Sequence, residues 1–508
     1  MDQLIELRPQ IGKDRSCFLF NAFFMSPTDT DSLAEDTGVL FFDADMDQDL
    51  DLYIVSGDTE QASDSPIYQD RFFTNDGKGN FRISQNVLPA ETSSGSCVVA
   101  ADYDRDGDLD LFVGGRVTPG KYPMPAESFL LRNDSKNGTP NFTNITQEII
   151  PGLNQSGMVS AALWSDYDND GWIDLVLTGE FLPIRFYRNN KGKFEEPNDI
   201  ENSSGWWNSL SAGDFDLDGD MDYVAGNLGL NSHFRATAKE PLCIHAKDFN
   251  KDGRIDPIMS YYTHGVNYIG HPRDVLIDQI NTMRGRFRTF TAYSDATFDQ
   301  SFLPEELDDA YIVCAQTFES SYMENLGNGK FKIKALPIEA QLGPVYGMVT
   351  ADFDNDGNLD LLLSGNSYSP EVFSGRDDAM IGLLLKGDGK GNFIPMHNTQ
   401  SGFVSDLDSK GMAKIILANG HSLILVGNNS NKTKSFVDQM PATYVKANTN
   451  DATATVTLSD GRKYRHEFQY GSTYLSNSSR SLKLSSKVLS VTITDYQGKA
   501  RSVQLAKQ

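Results

Sequence analysis

Six times the chain repeats one acidic pattern, Asp-x-Asp/Asn-x-Asp-(Gly)-x-x-Asp, always between two short apolar runs. Positions one, three, five and nine are Asp43, Asp45, Asp47 and Asp51; Asp102, Asp104, Asp106 and Asp110; Asp166, Asp168, Asp170 and Asp174; Asp214, Asp216, Asp218 and Asp222; Asp248, Asn250, Asp252 and Asp256; and Asp352, Asp354, Asp356 and Asp360. Position seven adds Asp49, Asp108, Trp172, Asp220, Arg254 and Asn358 to the candidate ligands. At position six the chain must turn sharply, and Gly107, Gly171, Gly219, Gly253 and Gly357 stand there, with Gln48 departing in the first copy.

Carboxylates crowded on one loop repel one another and would hold protons unless a cation neutralised them. Oxygen ligands without His or Cys select a hard cation, and a flexible carboxylate-rich loop suits calcium better than magnesium. One such loop is as well explained by a solvated acidic turn. Six in register point to five or six bound Ca2+ ions.

An EF-hand needs a Glu at position twelve and a helix on either side. Position twelve here holds Ile54, Val113, Leu177, Ala225, Met259 and Leu363, and the flanks, such as Val39 to Phe42 and Leu361 to Leu363, are strand-like. After most loops comes a hairpin with an Asn/Gly turn and a Phe-led return strand, beginning at Phe81, Phe194, Phe331 or Phe393. Two strands around each loop and two in each hairpin make the blade of a propeller. The predicted fold is therefore all-β: a six- or seven-bladed β-propeller over 37–430, with a partial preceding repeat in 1–36. The short intervals around Asp248 fit either a blade interrupted by a partly helical insertion over about 228–320 or a separate blade with displaced outer strands.

The net charge of −26 equals in size the 26 carboxylates in the six loops, and six dications would bring it to about −14. No basic patch invites nucleic acid, and no apolar run is long enough for a transmembrane segment. Cys17, Cys97, Cys243 and Cys314 are too few for a disulfide scaffold, and Cys97, beside Val98 and Val99, reads as a buried free thiol. The amino terminus lacks an export signal, whereas weak calcium loops fill where calcium is abundant, outside the cell. Truncation of a longer exported protein reconciles the two, and Phe18 to Phe20 with Phe23 and Phe24 read as strands of a preceding repeat.

Two places offer ligand contacts. Trp206 and Trp207 form either an aromatic platform for sugar rings or a wedge between blades. In the insertion, His264, His271, Arg273, Asp274 and Arg284 either bind a ligand or hold the insertion to the propeller. Asp406 and Asp408 read as a decayed loop without metal. From Thr443 the chain alternates apolar and polar residues, predicting a small antiparallel β domain over 441–508.

The acidic loops and their flanking strands resemble the FG-GAP/VCBS repeats of integrin α-chain propellers over most of 38–430. The tail, with Gly461-Arg462-Lys463 and Gly471 to Arg480, resembles the ASPIC/UnbV domain of cartilage-acidic-protein-like proteins. These resemblances imply a secreted, periplasmic or cell-surface calcium propeller with no family-wide catalytic residues. The expected function is non-catalytic binding or adhesion to a glycan or surface protein. The alternative is an extracellular polysaccharide lyase or hydrolase, although no recognisable catalytic motif is present.

Overall fold

Each acidic loop joins two antiparallel strands whose inward residues are bulky and apolar, and this unit recurs around a ring. The computed structural model describes residues 7–9, 34–370, 374–440, 442–471 and 474–505. Six antiparallel sheets of four strands form the blades, the third with a short extra strand at Gly205–Trp206, and the first strands of successive blades pack side by side. Blade one holds Glu35–Phe42, Asp51–Gly57, Arg71–Asn75 and Phe81–Ile83. Blades two, three and five repeat this order from Gly95–Ala101, Met158–Ser165 and Val345–Ala351.

Blade four resolves the ambiguity around Asp248. Its second strand, Asp222–Gly226, pairs with Ser321–Asn325, so 227–320 is an insertion between strands two and three of one blade. The insertion carries its own four-stranded sheet and short helices, including Arg273–Gln279 and Met283–Arg286. The Asp248 loop joins two strands of that inner sheet, Leu242–Lys247 and Asp256–Thr263. A disulfide between Cys243 and Cys314 staples adjacent strands there, a pairing that the spacing of the cysteines does not reveal. Cys97 is the expected buried free thiol.

Blade six is built from Ser409–Ile416, Ser422–Asn428 and Lys434–Asp438, and its outer strand is Leu7–Pro9. A piece of the segment expected to belong to a preceding repeat thus closes the ring. Cys17 and the strands expected at Phe18 to Phe24 lie outside the described residues.

Asp406 and Asp408 do not form a decayed metal loop. They precede the first strand of blade six, at the opposite end from the acidic loops, and pair with Lys434 and Lys410. Where the other blades carry acidic loops, blade six has a tight turn closed by Leu417 N–H donating to His421 O at 2.9 Å.

The carboxyl-terminal body contains a four-stranded sheet over Asp451–Leu458, Lys463–Glu467, Val488–Asp495 and Ala500–Ser502, with a second pair, Thr443–Lys446 and Ser481–Leu484. It sits over the end of the propeller that carries the acidic loops. The chain between its strands enters the central channel. Ala100 N–H donates to Tyr470 O, Asn477 Nδ2 to Phe41 O at 3.1 Å, and Ser479 N–H to Lys414 O at 2.8 Å. Residues 470, 471 and 474–480 thereby touch first strands from blades on both sides of the ring's closing seam. Leu475, Gly471 and Ser476 leave a residual void of only about 10 Å³ against the walls of blades one to four.

Candidate metal loops and the surfaces around them

In five loops three carboxylates converge with ligand oxygens within 4.8 Å of one another: Asp43, Asp45 and Asp47; Asp102, Asp104 and Asp110; Asp166, Asp168 and Asp174; Asp214, Asp216 and Asp218; and Asp352, Asp354 and Asp356. The Asp248 loop, with Asn250 at position three, is not among these clusters. Its backbone nevertheless follows the others. Gly253 N–H donates to Asp248 Oδ2 at 2.8 Å, as Gly107, Gly171, Gly219 and Gly357 do to their own position-one carboxylates at 3.0 to 3.1 Å.

Position four shows a feature that the acidic pattern conceals. Met46, Arg105, Asn169, Leu217, Lys251 and Asn355 all take positive φ, between 57° and 65°. The left-handed turn that aims alternate carboxylates inward therefore sits at positions four and six together.

Position nine has a structural role as well. Asp174 accepts Tyr167 N–H at 3.2 Å and Asn189 N–H at 2.7 Å, tying its loop to the third strand, and Asp222 does the same with Phe215 and Asn325. The Asn side chains then reach across the blade seam. Asn133 Nδ2 donates to Ala44 O, Asn189 Nδ2 to Tyr103 O and Asn325 Nδ2 to Tyr167 O, each at 2.8 Å. In three blades the Phe of the outer hairpin lies at the same seam. Phe194 packs on Tyr103, Phe331 on Tyr167 and Phe393 on Phe215, at ring separations of 5.4 to 6.2 Å. Recurrent Asn and Phe, read from sequence as hairpin signals, are the stitches between blades.

The electrostatics of the loops suit a cation. Asp43, Asp45, Asp102, Asp166 and Asp216 each leave Oδ1 buried without a hydrogen-bond partner, and Asp110 leaves Oδ2. Burial pushes Asp51, Asp102 and Asp214 up to about 7, Asp352 up to about 6 and Asp174 up to about 9. Asp110 and Asp360 are pushed well above the usual carboxylate range by the same cause. Orphaned anionic oxygens in a nitrogen- and sulfur-free site fit a hard divalent ion. Two loops also receive cationic side chains. Arg188 lies 2.6 Å from Asp168 and 2.9 Å from Asp170, and Lys386 pairs with Asp354 and Asp356.

The ligand candidates fall in different places. Trp207 is fully buried, with Nε1 donating to Ser203 O at 2.8 Å, so it is a wedge and not a platform. Trp206 stays partly exposed beside Phe181, Phe234 and Phe318. It pairs in the sheet with Glu180, which binds Arg116 at 2.6 Å and accepts the Tyr122 hydroxyl. Sequence reasoning missed this polar group, because its members come from two blades. His271 Nε2 accepts Met259 N–H at 3.0 Å, and Arg273 donates Nε to Phe287 O at 2.9 Å and covers the Phe290 ring. His271 thus ties the helical segment to the insertion's sheet, and Arg273 ties its helices to one another.

The FG-GAP-like repeat model matches residues 43–113 and 166–225, which run from the acidic loop of blade one into the second strand of blade two and from the acidic loop of blade three into the second strand of blade four. The chain is thus an all-β, propeller-like protein carrying FG-GAP-like repeats. No curated protein matches it. Solved structures similar to it include the V. cholerae biofilm matrix protein Bap1, at 13% identity over 83% of this chain and 74% of that one with a TM-score of 0.26. Others are Saccharomyces cerevisiae Sqt1, at 8% identity over 90% and 82% with a TM-score of 0.33, and the exotype rhamnogalacturonan lyase YesX, at 12% identity over 92% and 71% with a TM-score of 0.25. Among the described residues no helix is long and apolar enough to cross a membrane.

Proposed function

We propose that this protein is an exported, calcium-stabilised propeller that binds a glycan or surface protein without transforming it. The observation that carries the calcium assignment is the set of buried carboxylate oxygens that lack any partner, in loops where three carboxylates converge. The Cys243–Cys314 disulfide supports an oxidising compartment such as the periplasm or cell exterior. The tail that fills the channel contains the residues on which the ASPIC/UnbV resemblance rests, and its role in this reading is to hold the blades in one geometry. The saccharide surface is assigned to Trp206 and the neighbouring Tyr122, Arg116 and Glu180, an aromatic face beside hydrogen-bonding groups.

A glycan array probed with the calcium-loaded protein, with Trp206→Ala in parallel, tests the reading. Retained glycans that are lost in the variant support it; an identical array pattern for both proteins removes Trp206 from the surface. The buried pairing of Glu180 with Arg116 and Tyr122 favours a second reading, polysaccharide cleavage by an acid or base at Glu180. Release of new reducing or unsaturated ends from a bound polymer, abolished in Glu180→Gln, would replace the first reading with the second.

A further inference from the structure

Between the channel plug and the propeller lies a cavity of about 110 Å³, bounded by the first strands of blades four, five and six and by strands of the carboxyl-terminal body. A single buried water needs roughly 10 to 15 Å³ on this measure, so the space is several times that size. Its walls are unusual in what they lack. Lys414 lines it and is only 9% exposed, yet its ammonium has neither a hydrogen-bond nor an ion-pair partner among the described residues. The backbone around it is fixed: Lys414 N–H donates to Ser478 Oγ at 3.0 Å, and its carbonyl accepts from Ser479 N–H at 2.8 Å.

The nearby carboxylates are already committed. Glu467 accepts Asp166 N–H at 3.0 Å and faces Arg465, Asp352 accepts the N–H groups of Asp356 and Gly357, and Asp438 accepts Met440 N–H with Lys483 at 3.5 Å. Cations outnumber carboxylates on the walls, with Lys414, Arg480 and Lys483 against Asp352 and Glu467, although Lys483 is paired with Asp438. Burial and the Lys483 charge, opposed in part by Asp438, hold the Lys414 ammonium down to about 8, which leaves it charged at neutral pH. Burial, Lys414 and Arg480 hold the His466 imidazole down to about 3, so it is neutral.

The remaining polar groups are donors in surplus. Ser478 Oγ and Ser479 Oγ accept backbone N–H groups from Lys414 and Ile416, which leaves their hydroxyl hydrogens to give. Ser211 and Thr350 share one hydrogen bond at 2.8 Å and keep one hydroxyl hydrogen between them. A buried, unpaired ammonium surrounded by hydroxyl donors calls for an anion.

We propose that this cavity binds a small oxyanion of the sulfate, phosphate or carboxylate class, held by Lys414 of the propeller and by Ser478 and Ser479 of the plug. The site lies apart from the metal loops and from the Trp206 surface, and it does not depend on the saccharide reading. Because its partners come from both bodies, the anion joins the carboxyl-terminal body to the ring.

The test uses the full chain, saturated with calcium and equilibrated overnight with sodium sulfate or, at equal ionic strength, sodium chloride. Sulfate is expected to raise the melting temperature with a saturable dependence. Lys414→Met keeps the length of the stem, removes a charge that has no partner, and is expected to fold. In that variant sulfate affinity should fall about tenfold or more, and in Ser478→Ala it should fall severalfold. Sulfate also stabilises proteins generally by exclusion from their surface, so an equal rise in wild type and Lys414→Met would overturn the site. Crystals grown in selenate should show its anomalous signal beside Lys414 Nζ; water alone in that density would overturn it as well.

Discussion

Arg465 Nη2 lies 2.6 Å from Asp166 Oδ2, and the two side chains are only 16% and 4% exposed. The same residue's backbone N–H donates to Asp214 Oδ2 at 2.8 Å. One residue of the carboxyl-terminal body therefore holds the position-one carboxylates of two neighbouring acidic loops. Thr449 donates to Asp43, Asn450 to Gly107 O and Lys483 to Asp352 O, so five loops share this contact surface.

Replacing Arg465 by Met leaves Asp166 buried without its cation, a loss on the order of 3 kcal/mol. With calcium bound, Asp166 retains a positive partner, and the loss should shrink. Urea denaturation of the variant in chelator and in calcium measures both values. Equal losses under the two conditions would show that Asp166 takes no metal.

Calcium should stabilise the protein more as pH rises. In the folded, metal-free chain Asp352 titrates at about 6 and Asp102 and Asp214 at about 7, all above the ordinary 3.8. Raised folded values favour the protonated form, so the stability these groups contribute is complete below about 4 and is lost as pH climbs through about 7. The ion binds the deprotonated loops and restores that loss. Scanning calorimetry with calcium and with chelator should show a small difference near pH 5 and a large one near pH 8. A difference that does not change with pH would contradict the coupling.

Asn325→Ala should cost about 2 kcal/mol, because it strips donors from the buried Tyr167 and Met221 carbonyls and breaks a seam between blades. Asn75, whose side chain donates only to Leu50 O, serves as the control and should cost less than about 1 kcal/mol. Thermal unfolding of the two variants compares them; equal costs would mean that the stitch across the seam contributes nothing.

The turn geometry can be tested with opposite signs. Gly219 has φ +98° and open space where the methyl group of an alanine would stand, so Gly219→Ala isolates backbone strain and should cost roughly 1 kcal/mol. Met46, with φ 63° and 56% exposed, should be stabilised by about 0.5 kcal/mol on replacement by Gly. Calcium-saturated denaturation curves give both signs, and a destabilised Met46→Gly would refute the strain at position four.

Features that repeat within a dozen residues were legible in the sequence. The loop pattern, the flanking strands and the Phe-led hairpins are local, and each blade follows from them. Long-range pairings carried no such signal. Asp222–Gly226 meets Ser321–Asn325 across the whole insertion, and Cys243 meets Cys314 at a separation of 71 residues. Asp406 misled because two acids in alternation look alike at either end of a strand, whereas Trp207 was ambiguous until its burial was seen. The polar group at Glu180 depends on Arg116 and Tyr122 from the preceding blade, a juxtaposition that only the packing of one blade on the next creates.

The plug formed by Tyr470, Gly471 and residues 474–480 has a consequence for how the molecule is made. Synthesis proceeds from the amino end, so every channel wall is translated before the residues that fill it. The nascent ring must wait with its axle missing, and its inner surface gains its final neighbours only after all six of its walls have been made.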